Sequence, residues 1–259
     1  MTRRPPLWLS IIGVVVAAWL IVPTLVVIPI GFSDRDSFRL LPAGWSLDYY
    51  TKFFTDPRWT GSLMDSLTIA ALVAVTATMI GTLAALCVPT LGPRARSFAS
   101  AVIVAPMLVP HVVIAVGLYS VFLSWRLVGT VQGFVLAHTV IAIPFVFITV
   151  SAALSGIDRR LAQAAATLGA PAWRVFLRVT LPLLAPGIVS GALFAFVTSL
   201  DEVIIAIYLQ SPTLRTLPVQ LYTSVTANID PTVAAASTIV MIVTTAAILG
   251  PQLLRRRAS

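Results

Sequence analysis

Charge is what this 259-residue chain has least of: 10% of its residues are Asp, Glu, Lys or Arg, 58% are hydrophobic, and the mean hydropathy is +0.98. Soluble domains carry roughly 25% charged residues, and no stretch here is long and polar enough to enclose a soluble core. The one cysteine, Cys87, excludes an intrachain disulfide and reads as small apolar filler in a helix. The one lysine, Lys52, stands between Thr51 and Phe53, which excludes a G-x-x-x-x-G-K-[ST] phosphate loop. Serine is plentiful, yet neither a Gly-x-Ser-x-Gly elbow nor an H-E-x-x-H run occurs, so no catalytic residue set is expected. The two histidines, His111 and His138, have no Cys or Glu at ligand spacing and read as helix–helix hydrogen-bonding residues, not metal ligands. Any chemistry on ATP would have to come from another chain.

Long apolar runs are what the chain does have. Six segments, about 7–31, 66–88, 98–123, 131–154, 187–209 and 233–254, each meet the need for about 20 mainly apolar residues across a bilayer core. The first follows Arg3 and Arg4 as a signal peptide would, but it is too long and lacks a small-x-small cleavage site, so it reads as an uncleaved anchor. Prolines 23, 29, 106, 110 and 144 fall inside these runs, where neighbouring helices or waters can re-satisfy freed carbonyls. The expectation is an all-α integral membrane protein, residues 1–259 forming a single transmembrane domain.

Basic residues set the orientation. With the N-terminus cytoplasmic, the inner segments hold eleven arginines (Arg3, Arg4, Arg94, Arg96, Arg159, Arg160, Arg174, Arg178, Arg255, Arg256, Arg257) against Asp158 alone. The outer loops hold six basic residues (Arg35, Arg39, Lys52, Arg58, Arg126, Arg215) balanced by six aspartates. This positive-inside bias predicts both termini in the cytoplasm and accounts for the pI near 10.8 without a nucleic-acid face.

The first outer loop, about 32–62, is rich in aromatics, with Ser46 placed to cap a short helix through 46–54; it reads as an interfacial helix, compatible with contact to an external partner. The third, about 210–232, has Pro212, Pro218, Asn228 and Pro231 as breakers around a short apolar turn. The inner loop 155–186 differs. Ser155 and Asp158 can both cap a helix start, and Ala162, Ala165, Ala166 and Gly169 fall on one small-residue face flanked by Leu161 and Leu168. Gly169 suits a left-handed cap, Pro171 the first turn of a second helix striped by Trp173, Phe176, Leu177 and Leu181, and Pro182 and Pro186 a break before the next span. Such a face suits either a groove on a partner protein or the chain's own bundle.

From Gln163 the loop reads QAAATLGAPAWRVFLRVTLPLLAPGI. It resembles the cytoplasmic signature of permease subunits of binding-protein-dependent ABC importers: E-A-A, two residues, L-G, then L-P and P-G-I. Ala164, Ala165, Leu168, Gly169, Leu181, Pro182, Pro186, Gly187 and Ile188 match, while Gln163 stands where the family usually has Glu and removes the charge for an ion pair there. DSLTIA (65–70), PMLVPHVVIAVGL (106–118), HTVIAIPFVF (138–147), SLDEVIIAIYL (199–209) and LPVQLYTSV (217–225) look like the spermidine/putrescine branch. The resemblance implies six transmembrane helices of the type I importer kind in the cytoplasmic membrane. It implies a coupling helix that uses Leu161, Gln163, Ala164, Ala165, Leu168 and Gly169, with ATP and Mg bound by partner subunits. Its implied partners are a second similar permease, two ATPase subunits and an external substrate-binding protein.

Asp201 and Glu202 interrupt an otherwise apolar run. Acids at membrane depth face a bundle interior or a wet cavity, and these two, about 100° apart, cannot both point into one pathway. The resemblance implies a cationic cargo that one of them would contact, a polyamine such as spermidine or putrescine first, with other small cationic or amine-bearing solutes open; a pair bonded to other spans without touching cargo also stays open. So does a rival class, a proton-coupled secondary transporter with the pair as relay, although no internal repeat is obvious and the patterned inner loop would be unexplained. A purely structural membrane scaffold would have no need of the acids. Gly187-x-x-x-Gly191 is a weak signal for close helix packing.

Overall fold

The computed structural model describes residues 6–34, 44–227 and 230–258. Arg3, Arg4, Arg35, Arg39, Asp36 and Asn228 lie outside the described residues, as do the side chains of Arg159, Ala162 and residues 255–257. The described chain is helical: α1 (Leu7–Leu25), α2 (Val27–Gly31), α3 (Asp48–Thr55), α4 (Pro57–Cys87), α5 (Pro93–Val104), α6 (His111–Ser124), α7 (Val131–Ser155), α8 (Arg159–Thr167), α9 (Ala172–Val175), α10 (Leu181–Leu200), α11 (Ile204–Leu209), α12 (Leu217–Ala227) and α13 (Thr232–Ala258). Four elements among the described residues are long and apolar enough to cross a membrane alone: Leu7–Gly31, Pro57–Thr90, Val131–Ser155 and Ala172–Leu200. A fifth crossing is available if the bent pair Pro93–Met107 and His111–Ser124 counts as one, and the sixth expected segment lies in α13, apolar over Thr232–Ala247. Six spans are compatible with this arrangement.

Prolines place several of the breaks. Pro29 has no N–H for the Leu25 carbonyl, and α1 gives way to α2 there. The expected span 98–123 is bent by 96°: Pro106 sits in a tight turn at Ala105–Met107, and Pro110 disfavours helix at Val109 before α6 restarts.

Contacts divide the described residues into two compact units, one of Ser62–Val219, the other of residues up to Gly61 with those from Gln220 onward. In the second, α2 and α3 pack on α13. A Cβ on Gly31 would sit 2.9 Å from Tyr50 Oη and 3.1 Å from the Ala235 nitrogen, so a larger residue there would push Tyr50 aside and press on the α13 backbone. Ser46, expected to cap α3, stands one residue before the N-cap Leu47, and its hydroxyl accepts a 2.9 Å bond from the Asp48 N–H at the helix start. The aromatic face of α3 is divided: Tyr49 and Phe53 are buried, Phe53 against Trp59, while Trp45, Leu47 and Phe54 are exposed. Asp230 accepts from the Thr232 N–H and hydroxyl at the start of α13 and pairs with Lys52 at 2.7 Å. Partial burial pulls its carboxyl up, but the Lys52 and Thr232 bonds prevail and hold it below the ordinary carboxylate value.

In the unit of Ser62–Val219, α7 is the central helix, and its most extensive packing is on α10. Thr130 caps α7 by accepting from the Gly133 N–H. The glycine pair of α10 makes the approach possible. A Cβ on Gly187 would lie 2.5 Å from Ala153 Cβ and 3.1 Å from the Thr149 carbonyl oxygen, and one on Gly191 would lie 3.0 Å from Val146 Cα. The spacing read as a weak signal is therefore a tight helix crossing. Gly187→Ala is expected to lower stability in detergent by about 1–3 kcal/mol, since the obstructing atoms are backbone and an Ala Cβ that cannot swing away. Gly117→Ala, with open space around it, serves as the unaffected control in the same unfolding titration.

Candidate functional site

Two places carry the residues singled out in the sequence. The first is the segment 156–171 with the start of the following helix. Asp158 caps α8, accepting from the Arg160 N–H at 2.9 Å. Ser155 does not: it ends α7, its hydroxyl donating to the Ala152 carbonyl, because α7 runs on through that residue. At the other end Gly169 is left-handed (φ +81°), its N–H reaching the Ala166 carbonyl while the Ala170 N–H reaches that of Ala165. This double closure needs a residue that tolerates positive φ, and glycine supplies it. Pro171 then caps α9.

The expected break at Pro182 and Pro186 is absent; Ala172–Leu200 forms one spanning element. Pro182 offers no N–H to the Arg178 carbonyl and its ring crowds it, and the chain answers with a wide π turn over Phe176–Thr180 instead of ending the helix. The fifth span accordingly begins earlier than 187 and stops at Leu200, not 209.

The surface that results is apolar and turned outward. Leu168 is 87% exposed and Leu161 50%, with Trp173 and Leu177 exposed beside them. Gln163 and Ala164 are exposed and Ala165 half-buried. Arg174 lies over the Trp173 ring at 5.2 Å. Within its unit this knob is not packed into the helical core.

The second place is the carboxylate pair. Asp201 is not within a span but is the C-cap of α10, and the chain is unwound to Val203 before α11 begins. Glu202 is only 5% exposed; one oxygen accepts from the Ile205 N–H at 2.9 Å and the other meets His111 Nδ1 at 2.8 Å. His111 opens α6 just after the 96° bend, so two helix breaks meet across this pair. Tyr119 and Tyr208, 6.3 Å apart, continue the α6–α11 contact. Asp201, by contrast, is exposed and opens on a cavity of about 430 Å³ that His111, Thr198 and Glu202 also line. The two adjacent acids thus part where the helix ends: Glu202 braces a helix junction, and the Asp201 side chain makes no hydrogen bond or ion pair among the described residues. His138 is buried and bonds Ser199 at 2.9 Å, tying α7 to the end of α10.

Sequence reasoning did not foresee two features. His111 was legible as a hydrogen-bonding residue but not as the partner of Glu202. In DSLTIA, Ser66 accepts from the Leu217 N–H at 2.7 Å and Asp65 from the Arg215 N–H at 3.3 Å, seating the start of α12. That eleven-residue helix replaces the short apolar turn expected between Pro212 and Pro231.

Comparison with known proteins places the chain as a whole. Over 246 residues the chain is 30% identical to the spermidine/putrescine transport system permease protein PotC of Haemophilus influenzae, covering 94% of each. It is also 30% identical over 248 residues to the putrescine transport system permease protein PotI of Escherichia coli, covering 93% of this chain and 87% of that one. The fold matches a chain of a bacterial ABC transporter that imports the acidic polysaccharide alginate (TM-score 0.68, 16% identity, 98% and 99% covered). It also matches that of an alginate ABC transporter in complex with an alginate pentasaccharide-bound periplasmic protein (TM-score 0.72, 18% identity, 97% and 94% covered). Residues 77–259 match the family described as binding-protein-dependent transport system inner membrane component, and the chain, a multi-pass helical transport subunit, belongs to that family.

Proposed function

We propose that this chain is a membrane-spanning half of an ATP-driven importer for a small cationic solute, a polyamine of the spermidine or putrescine type. Asp201 offers the cation a carboxylate in the pathway, while Glu202, held by His111 and the Ile205 amide, keeps the junction in shape. The observation that carries this reading is the separation of the two acids into one spent and one free, in a chain whose relatives are named for polyamines. Leu161, Gln163, Ala164, Ala165, Leu168 and Gly169 form the coupling knob for separate ATPase subunits, which bind the ATP and Mg. A second, homologous permease and an external substrate-binding protein complete the assembly, and both termini lie in the cytoplasm, as the arginine distribution favours.

Uptake of labelled putrescine into membrane vesicles carrying the chain with its partner subunits tests the reading. Uptake is expected to require internal ATP and to persist when a protonophore collapses the proton gradient. Uptake driven by an imposed ion gradient without ATP would overturn it in favour of secondary transport.

A further inference from the structure

A cavity of about 740 Å³ opens among α5, α7, α8, the turn that follows α4 and the π turn before α10, away from the carboxylate pair. Its polar lining is Arg96, Ser100, Ser151, Ser155, Gln163 and Thr180. Among the described residues only Ser155 of these is engaged, its hydroxyl donating to the Ala152 carbonyl; the other five side chains make no ion pair or side-chain hydrogen bond, and no acidic residue lines the cavity. The rest of the lining is apolar: Val88, Pro89, Phe147, Leu154 and Ile157. One unspent cation, three unspent hydroxyls and a carboxamide facing one space match the oxygens of a phosphate monoester or diester. The apolar part of the lining asks for an amphiphile, not a free ion.

We infer that this cavity binds the phosphate headgroup of an anionic phospholipid, with Arg96 as the charged contact and Ser100, Ser151, Thr180 and Gln163 as donors. Basic pockets between membrane helices take such headgroups, and the arginine-rich face to which Arg96 belongs is the one that meets an anionic leaflet. Because Gln163 belongs to α8, an occupied cavity ties the lipid to the same helix that carries Leu161 and Leu168. The assignment depends on neither the cargo nor the ATPase reading, so it stands or falls separately.

The test uses the full chain purified with its partner subunits in phosphatidylcholine nanodiscs doped with phosphatidylglycerol, with bound lipid counted by native mass spectrometry. Wild type is expected to retain phosphatidylglycerol in preference to phosphatidylcholine. Arg96→Gln and the cavity-filling Ser151→Leu are expected to retain roughly fivefold less. Arg94→Gln, exposed and outside the cavity, should retain the wild-type amount, and thermal melts in pure phosphatidylcholine identify any variant that has merely misfolded. Equal retention by a folded Arg96→Gln overturns the assignment, and so does equal loss in Arg94→Gln. A wild type that binds inorganic phosphate without preferring phosphatidylglycerol overturns it as well.

Discussion

Asp201→Asn is expected to reduce uptake of a polyamine by between about tenfold and a hundredfold at subsaturating substrate. A hydrogen bond to a charged group contributes about 1.5–3 kcal/mol, and the free carboxylate at the α10 C-cap is the one acid of the pair left to make it. Asn keeps size and acceptor oxygen but not charge, and an exposed C-cap position should tolerate it with little change in stability. Glu202→Gln should behave differently. It retains an oxygen for the Ile205 N–H but gives up the charge facing His111, so its main effect falls on thermal stability and yield of the assembled transporter. Concentration-dependent uptake by reconstituted transporter separates the two, the first as a rise in KM, the second as a loss of active protein. If the Asp201→Asn/Glu202→Gln double variant imports at the wild-type rate, neither acid touches the cargo.

What the sequence revealed and what it hid follow from how far each determinant reaches along the chain. Helix existence was legible because hydropathy over 20 residues is a local sum, and Asp158, Gly169 and Pro171 were legible because a cap acts within one turn. The break after Leu200 was not. No proline or glycine marks residues 201–203; the helix stops where Glu202 turns its carboxylate onto the Ile205 amide, and that arrangement is held by His111, ninety-one residues earlier. The bend before His111 was half visible. Its prolines were seen, but whether Pro106 and Pro110 bend a helix or are absorbed depends on packing, and Pro182 and Pro186 show the opposite outcome through a π turn. The Gly187–Gly191 crossing was legible only as a possibility, because its meaning resides in Ala153, Thr149 and Val146 on another helix.

Leu168→Asp should uncouple the transporter while leaving the chain folded. Leu168 is 87% exposed and follows the last turn of α8, so within this chain a charge there displaces almost no packing and should change stability by no more than about 0.5 kcal/mol. In the assembly the same side chain would be a central apolar anchor, and truncating such an anchor costs 2 kcal/mol or more, roughly a thirtyfold weaker hold on the ATPase. Gly169→Val attacks the knob by a different physical route. At φ +81° a β-branched residue strains the backbone by about 1–3 kcal/mol, which misdirects α9 relative to α8 without altering the apolar surface. Both variants are expected to lose substrate uptake and ATPase co-purification together, whereas Arg160→Gln, exposed at the start of α8 with Asp158 still capping its amide, should keep most of both. Were Leu168→Asp to bring down its ATPase at the wild-type level and import normally, the exposed leucines of α8 would have to face lipid or the second permease instead, and the transmission of ATPase motion would need another contact.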